Sequence, residues 1–228
     1  MRKLLITLIL IPFIAFAQET ESVHNGSMSI SEKIEMSPNG STIRFKPGTY
    51  WEIIELNDRK DLTLDFTDVH LLTAEDVTIF TITNCFNIKI IGLSIRHDRA
   101  GCFTNCFDIH QSDQISFESC DINGSGFIGI CINKSTRINI EKCKIHECQV
   151  GVFLWENNET FKGIPASTSS VSIRESIFND NEAGNICFDS NYGSAVEFVV
   201  KLDDEQFIIN PTNYRDYIKP SFTYPLIH

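Results

Sequence analysis

A nine-residue phrase recurs four times in this chain: Asn87-Ile-Lys-Ile-Ile-Gly-Leu-Ser-Ile95, Gln114-Ile-Ser-Phe-Glu-Ser-Cys-Asp-Ile122, Arg137-Ile-Asn-Ile-Glu-Lys-Cys-Lys-Ile145 and Ser170-Val-Ser-Ile-Arg-Glu-Ser-Ile-Phe178. The second, fourth and ninth places are apolar in every copy, and the seventh reads Leu93, Cys120, Cys143, Ser176. The same wall is therefore rebuilt by each pass of the chain, which is the signature of a solenoid. Period-two alternation dominates from Leu62 to Phe198 and no stretch sustains a helical period, so the chain reads as nearly all β.

A second strand lies between the phrases: Phe80-Thr-Ile82, Phe107-Asp-Ile109, Ile130-Cys-Ile132, Val152-Phe-Leu154 and Ile186-Cys-Phe188. The breaks at Gly92, Ser119 and Lys142 split each phrase into two strands, so three strands make a coil. Phrase starts lie 27, 23 and 33 residues apart, and Asp61-Leu-Thr-Leu-Asp-Phe66 begins a looser copy 26 residues before Asn87. The expectation is an all-β, right-handed parallel β-helix of roughly six coils, three strands each, about 30 Å long at a strand spacing near 4.8 Å.

The boundaries follow from composition. Met1-Arg-Lys3, the apolar run Leu4 to Phe16 and the small-residue stop Ala15-Phe-Ala17 read as a secretory signal over 1–17. Residues 18–40 read as a linker or N-terminal segment, 41–200 as the β-helix domain, and 201–228, with Pro211, Pro220 and Pro225, as a C-terminal capping tail. No later stretch approaches the apolar length of a membrane span, so a secreted or periplasmic protein is expected.

Taking Arg2 and Lys3 away with the signal leaves 17 basic against 30 acidic residues, a net charge of −13. Such a surface excludes nucleic acid as a partner. Acidic polysaccharides bind it only through a bridging cation such as calcium or a local basic site; neutral glycans meet no such barrier. Of the eight cysteines, Cys120 and Cys143 hold one inward position and are expected to stack as reduced thiols. Cys102, Cys106 and Cys148 in turns, and Cys131 and Cys187 at outward strand positions, are the better candidates for disulfides or free thiols. Metal-type Cys-x-x-Cys spacing is absent and no metal site is expected. The Asn-x-Ser/Thr matches read better as turn residues, with Asn123 and Asn179 expected to stack as an asparagine ladder.

Ser41-Thr-Ile-Arg-Phe-Lys-Pro-Gly-Thr-Tyr50 resembles the entry phrase of the pectate-lyase-like β-helix superfamily, and Asn87 to Ile95 and Gly129-Ile-Cys-Ile-Asn-Lys-Ser135 resemble its coil strands. The resemblance covers about Ser41 to Asp189 and implies a carbohydrate ligand in a groove along the first strand of each coil. It is nearly silent about the reaction. The Asn-Thr-Asp phrase and Asp-Asp pair of polygalacturonase-type hydrolases are replaced by Phe103-Thr-Asn105 and Phe127-Ile128, which argues against inverting hydrolysis by paired carboxylates. Of the clustered aspartates that calcium-dependent lyases use, only Asp108 and Asp189 remain.

If alternate residues of that strand face out, one outward row reads Thr81, Asp108, Cys131, Phe153, Cys187 and a second Thr83, His110, Asn133, Trp155, Asp189. Asp108 and His110, two apart, face the same way and suit acid–base work; a solvated strand face is the competing reading. Trp155, beside Asn133, Lys134 and Glu156, reads as a sugar-stacking platform or as a residue covered by the turn after it, with Asp189 completing the substrate-binding set. The long turn Arg96 to Cys106 adds Asp98 and Arg99 as catalytic candidates beside His97. The expected partner is polysaccharide. Cleavage or modification of lyase or glycoside-hydrolase type stays open against a non-catalytic scaffold or adhesion module. No cofactor is called for, calcium being the one cation that the chemistry admits.

Overall fold

The computed structural model describes residues 28–98, 102–124, 127–157, 170–191, 198–202 and 205–209; Trp155, Glu156 and Asp189 are placed by backbone register alone. A short helix, α1 (Ile30–Met36), precedes the strands. The first strand set is β1 (Thr42–Arg44), β2 (Gly48–Trp51) and β3 (Ile54–Asn57). β4 (Lys60–Thr73) with β5 (Phe80–Thr83), and β6 (Phe86–His97) with β7 (Phe107–His110), make the next two. Then come β8 (Asp113–Glu118), β9 (Asp121–Asn123) and β10 (Ile128–Asn133), followed by β11 (Ile138–Glu141), β12 (Lys144–His146) and β13 (Val150–Asn157). The last set is β14 (Ser170–Arg174), β15 (Ile177–Asn179) and β16 (Gly184–Asn191), after which β17 (Phe198–Leu202) and β18 (Glu205–Ile209) form a hairpin.

Every pairing but that hairpin is parallel, in one 12-stranded sheet that wraps two walls and one six-stranded sheet, ordered β16-β13-β10-β7-β5-β3, that forms the third. This is a parallel β-helix, as the repeat implied. About four turns have strands above and below on every wall, with shorter sets at the ends, slightly fewer full turns than the roughly six coils expected.

The apolar places of the phrase do what their spacing implies. Ile88, Ile90 and Ile95, Ile115, Phe117 and Ile122, Ile138, Ile140 and Ile145, and Val171, Ile173 and Phe178 are all buried in one continuous core. Aromatic rings run through it, from Phe45 stacked on Phe66 at 4.3 Å to Phe107 edge-on to Phe117 at 4.9 Å, in the offset and edge-to-face geometries that rings prefer.

The corners carry the coil-to-coil connections. Asn87, Gln114 and Arg137 open their phrases at positive φ, and Gly92, Ser119, Lys142 and Glu175 take the sixth place in the same conformation. The residue after several such corners is Ser or Cys. Its side chain donates to the carbonyl two residues back and accepts the amide of the equivalent residue one coil earlier. Thus Cys143 Sγ donates to Glu141 O (3.3 Å) and accepts from Cys120 N–H (3.4 Å), and Ser176 Oγ donates to Arg174 O (2.8 Å) and accepts from Cys143 N–H (3.1 Å). Cys85, Ser112 and Ser135 repeat the device at the next corner. None of the eight cysteines is joined in a disulfide. The stacked thiols at Cys120 and Cys143 are therefore as expected, whereas Cys148, weighed as a disulfide candidate, is another buried corner thiol bonded to His146 O at 3.2 Å.

The structure adds one element and overturns one expectation. Within the segment read as linker, Ile30–Met36 is helical, because Ser29 and Glu32 form a capping box and the Glu52 carboxylate accepts the Ile30 amide. Arg59 ties down the other end through Ile34 O and Ser37 O, so Ile30 and Ile34 join the core at its N-terminal end. The Asn123–Asn179 ladder does not form, since His146 stands between them in register; Asn123 donates to Glu147 and Asn179 to Asp180. Asn–Asp bonds occur instead at Asn87–Asp61 (2.8 Å) and Asn84–Asp58.

Cys143→Ser keeps both corner bonds and is expected to shift stability by less than about 1 kcal/mol. Cys143→Val leaves the Cys120 amide without this acceptor and is expected to cost about 1–3 kcal/mol. Urea midpoints of the two variants test the device; equal values would show that the corner hydrogen bond contributes nothing.

Candidate functional site

The six-stranded sheet turns its alternate residues outward, and its register aligns two rows. Glu55, Thr81, Asp108, Cys131, Phe153 and Cys187 form the first; Asn57, Thr83, His110, Asn133, Trp155 and Asp189 form the second. Both rows run as the sequence implied, each with one further member on β3. The outer surface is not uniformly open, however. Every residue of β10 is buried, Cys131 at 5% and Asn133 at 8% exposure included. Asn133, a candidate for substrate contact, is thus closed off. Among the described side chains the most open part of the face is the stretch from β3 to β7, where Glu55 and Asn57 are exposed; Phe153 and Cys187 beyond β10 are half-buried.

Asp108 and His110 stand together there. His110 Nε2 lies 3.9 Å from Asp108 Oδ2, with side chains 35% and 20% exposed. Asp108 is clamped by two further donors that the sequence did not reveal: Asn105 Nδ2 at 2.5 Å on Oδ1 and Thr78 Oγ1 at 3.1 Å on Oδ2. Burial by itself pushes this carboxyl up, but the imidazole of His110 beside it and the hydrogen bonds from Asn105 and Thr78 outweigh it, leaving Asp108 below the ordinary carboxylate range. Its neighbour Cys131 is pushed the other way, first by burial and then by the charge of Asp108 and the hydrogen bond to it. A thiol held protonated is no nucleophile. The arrangement is a fixed anion presenting one partly exposed imidazole, suited to holding and moving a proton.

The signal for the extra donors was faint. Thr78 is 30 residues from Asp108 and reaches it only because β5 and β7 are neighbours. Asn105 belongs to Phe103-Thr-Asn105, the phrase set in the sequence against the Asn-Thr-Asp of polygalacturonase-type hydrolases, so a polar role at that place was the available clue.

The other candidates are dispersed. Asp98 is 46% exposed and pairs with Arg96 at 3.8 Å; no described contact brings it to Asp108. His97 is buried, with Nε2 2.9 Å from Val77 O and 3.3 Å from Thr104 Oγ1, and is closed to substrate. Lys134 occupies a corner at φ 46°. Trp155 lies two strands from His110 and Asp189 one strand further; their side chains, and those of Glu156 and the whole of Arg99, lie outside the described residues. Among the described residues no group of three or more His, Cys, Asp or Glu could hold a metal ion, and no helix is long and apolar enough to cross a membrane.

No protein-family model matches the chain, and no curated protein matches it. Among solved structures it is similar to a double mutant of the periplasmic alginate epimerase AlgG, at a TM-score of 0.38 and 16% identity, over 72% of this chain and 43% of that one. The chain thus spans less than half the length of that protein. A likeness of that size carries neither substrate nor reaction across.

Because the folded-state carboxyl of Asp108 lies below its ordinary value, its ionised form stabilises the fold. That contribution is complete above the unfolded value of about 3.9 and is lost as pH falls through the lower folded value. The stability difference between the protein and Asp108→Asn is therefore expected to shrink as pH is lowered from about 5 to 2. Urea midpoints at each pH measure it, and a pH-independent difference excludes a stabilised carboxylate.

Proposed function

We propose that this protein binds polysaccharide across the open part of its six-stranded sheet and modifies it there by proton transfer through His110, with Asp108 as the fixed carboxylate that orients the ring. The observation that carries this reading is the Asp108–His110 pair with its clamp from Asn105 and Thr78. Two hydrogen bonds hold this carboxylate 3.9 Å from the imidazole at an otherwise solvated strand face, and fixed geometry is what acid–base catalysis needs. The resemblance to pectate-lyase-like β-helices supports the carbohydrate as ligand. Export belongs to the same reading, through the signal at 1–17 and cleavage after Ala17, and N-terminal sequencing of the protein from expressing cells tests it.

A second reading is a non-catalytic scaffold or surface-adhesion module. It is favoured by the buried outer face of β10, which interrupts the groove that a long polymer would occupy. Asp98, Arg99, Lys134, Trp155, Glu156 and Asp189 remain candidates for contacts flanking the pair, and calcium the candidate cation.

The deciding experiment incubates the purified protein with a panel of neutral and uronic polysaccharides, with and without calcium. Reducing ends, unsaturated products and sugar stereochemistry are followed together. His110→Ala is expected to lose about 100-fold or more of any activity found, and Asp108→Asn a smaller part. Full activity in His110→Ala overturns the catalytic assignment; binding without any product establishes the scaffold reading.

A further inference from the structure

The open part of the face comprises Glu55, Asn57, Thr81, Thr83, Asp108 and His110, aligned on three adjacent strands. Two of the six carry carboxylates and none is Lys or Arg. Asp76, on the turn leading to β5, adds a third carboxylate beside it by accepting the Phe103 amide at 2.8 Å. The cations next to the face in sequence sit at its corners: Arg59, held by Ile34 O and Ser37 O, and Lys60 after β3, and Lys134 after the buried strand β10. A uronate chain laid on this face would bring one carboxylate per sugar against Glu55 and ionised Asp108, with no Lys or Arg among the six described residues of the face to meet it. Neutral sugars meet hydroxyl, amide and carboxylate groups that pair with their own hydroxyls.

Phe103 flanks the same face. It is 75% exposed, and a lone exposed aromatic ordinarily means little. This one is held in place. Its amide donates to Asp76, the neighbouring Thr104 hydroxyl lies 3.3 Å from both Asp76 Oδ1 and His97 Nε2, and Asn105, two residues on, donates to Asp108. The hydrogen bonds that fix the Asp108 carboxylate therefore also fix the turn that presents the ring. An immobilised aromatic stacks on the apolar face of a pyranose without the entropy cost of ordering a loop.

We propose that the ligand of this face is a neutral pyranose chain, with Phe103 as the stacking residue that positions one sugar beside Asp108 and His110. The proposal rests on the polysaccharide reading above and deepens it.

Calorimetric titration at 0.15 M salt, with and without calcium, compares neutral hexasaccharides (cellohexaose and mannohexaose) with hexagalacturonate and hexaguluronate. Binding of a neutral hexamer is expected, with the uronates undetected. Phe103→Ala is expected to weaken the neutral complex about tenfold, Phe103→Trp to restore it, and Asp108→Asn not to confer uronate binding on its own, since Glu55 and Asp76 remain. Tighter binding of either uronate, or a neutral complex indifferent to Phe103→Ala, overturns the proposal and leaves the polysaccharide reading standing. Failure of all four sugars overturns both.

Discussion

The hydrogen bond that passes from one coil to the next at the corner holds this architecture together. A parallel β-helix must turn the chain sharply between walls, and many of the corners here use a residue at positive φ, fourteen of them not glycine among the described residues. L-residues pay about 1 kcal/mol or more for that conformation. The cost is offset by keeping the backbone ladder unbroken through the bend: Ser119 N–H still reaches Glu141 O and Lys142 N–H still reaches Arg174 O. Ser and Cys just after the bend then satisfy the next amide in line, and the wall continues without a buried orphan.

That device explains the cysteine content. A thiol at a corner does the work of a serine hydroxyl while filling more of the apolar interior, which is why Cys120, Cys143 and Ser176 succeed one another in one row and Cys85, Ser112 and Ser135 in another. Cys85, Cys120, Cys143 and Cys148 serve corner geometry, and the core they join is continuous from Ile30 to Ile186 without a disulfide.

The functional face inherits its geometry from the same corners. They set the register between coils, and the register places Thr81, Asp108 and Cys131 side by side although 27 and 23 residues separate them. Asp108 then gathers donors from two turns, Thr78 from one coil and Asn105 from its own. A carboxylate so held is a rigid reference point for His110, and the same turn displays Phe103. The Asp108 carboxylate and the backbone that carries Phe103 are thus held by one hydrogen-bonded unit.

Much of this was legible in the residues because a β-helix translates sequence period into position directly. The inward row of the phrase, the three-wall coil, the two outward rows of the six-stranded sheet and the pairing of Asp108 with His110 all follow from alternation plus a repeat of about 25 residues. Burial was less legible. Asn133 and Cys131 obey the outward alternation and are nonetheless covered, while Asn123 and Asn179 share a row that His146 interrupts. The helix at Ile30–Met36 is too short for its period to stand out, and it depends on Glu52 and Arg59 from later strands. Periodicity is a local property of the chain, so the sequence alone determined the fold and the order of residues along each face. Which of those residues are open, and that Thr78 joins the neighbouring Asn105 on Asp108, depends on contacts between segments 20 to 30 residues apart, and only the tertiary structure decided those.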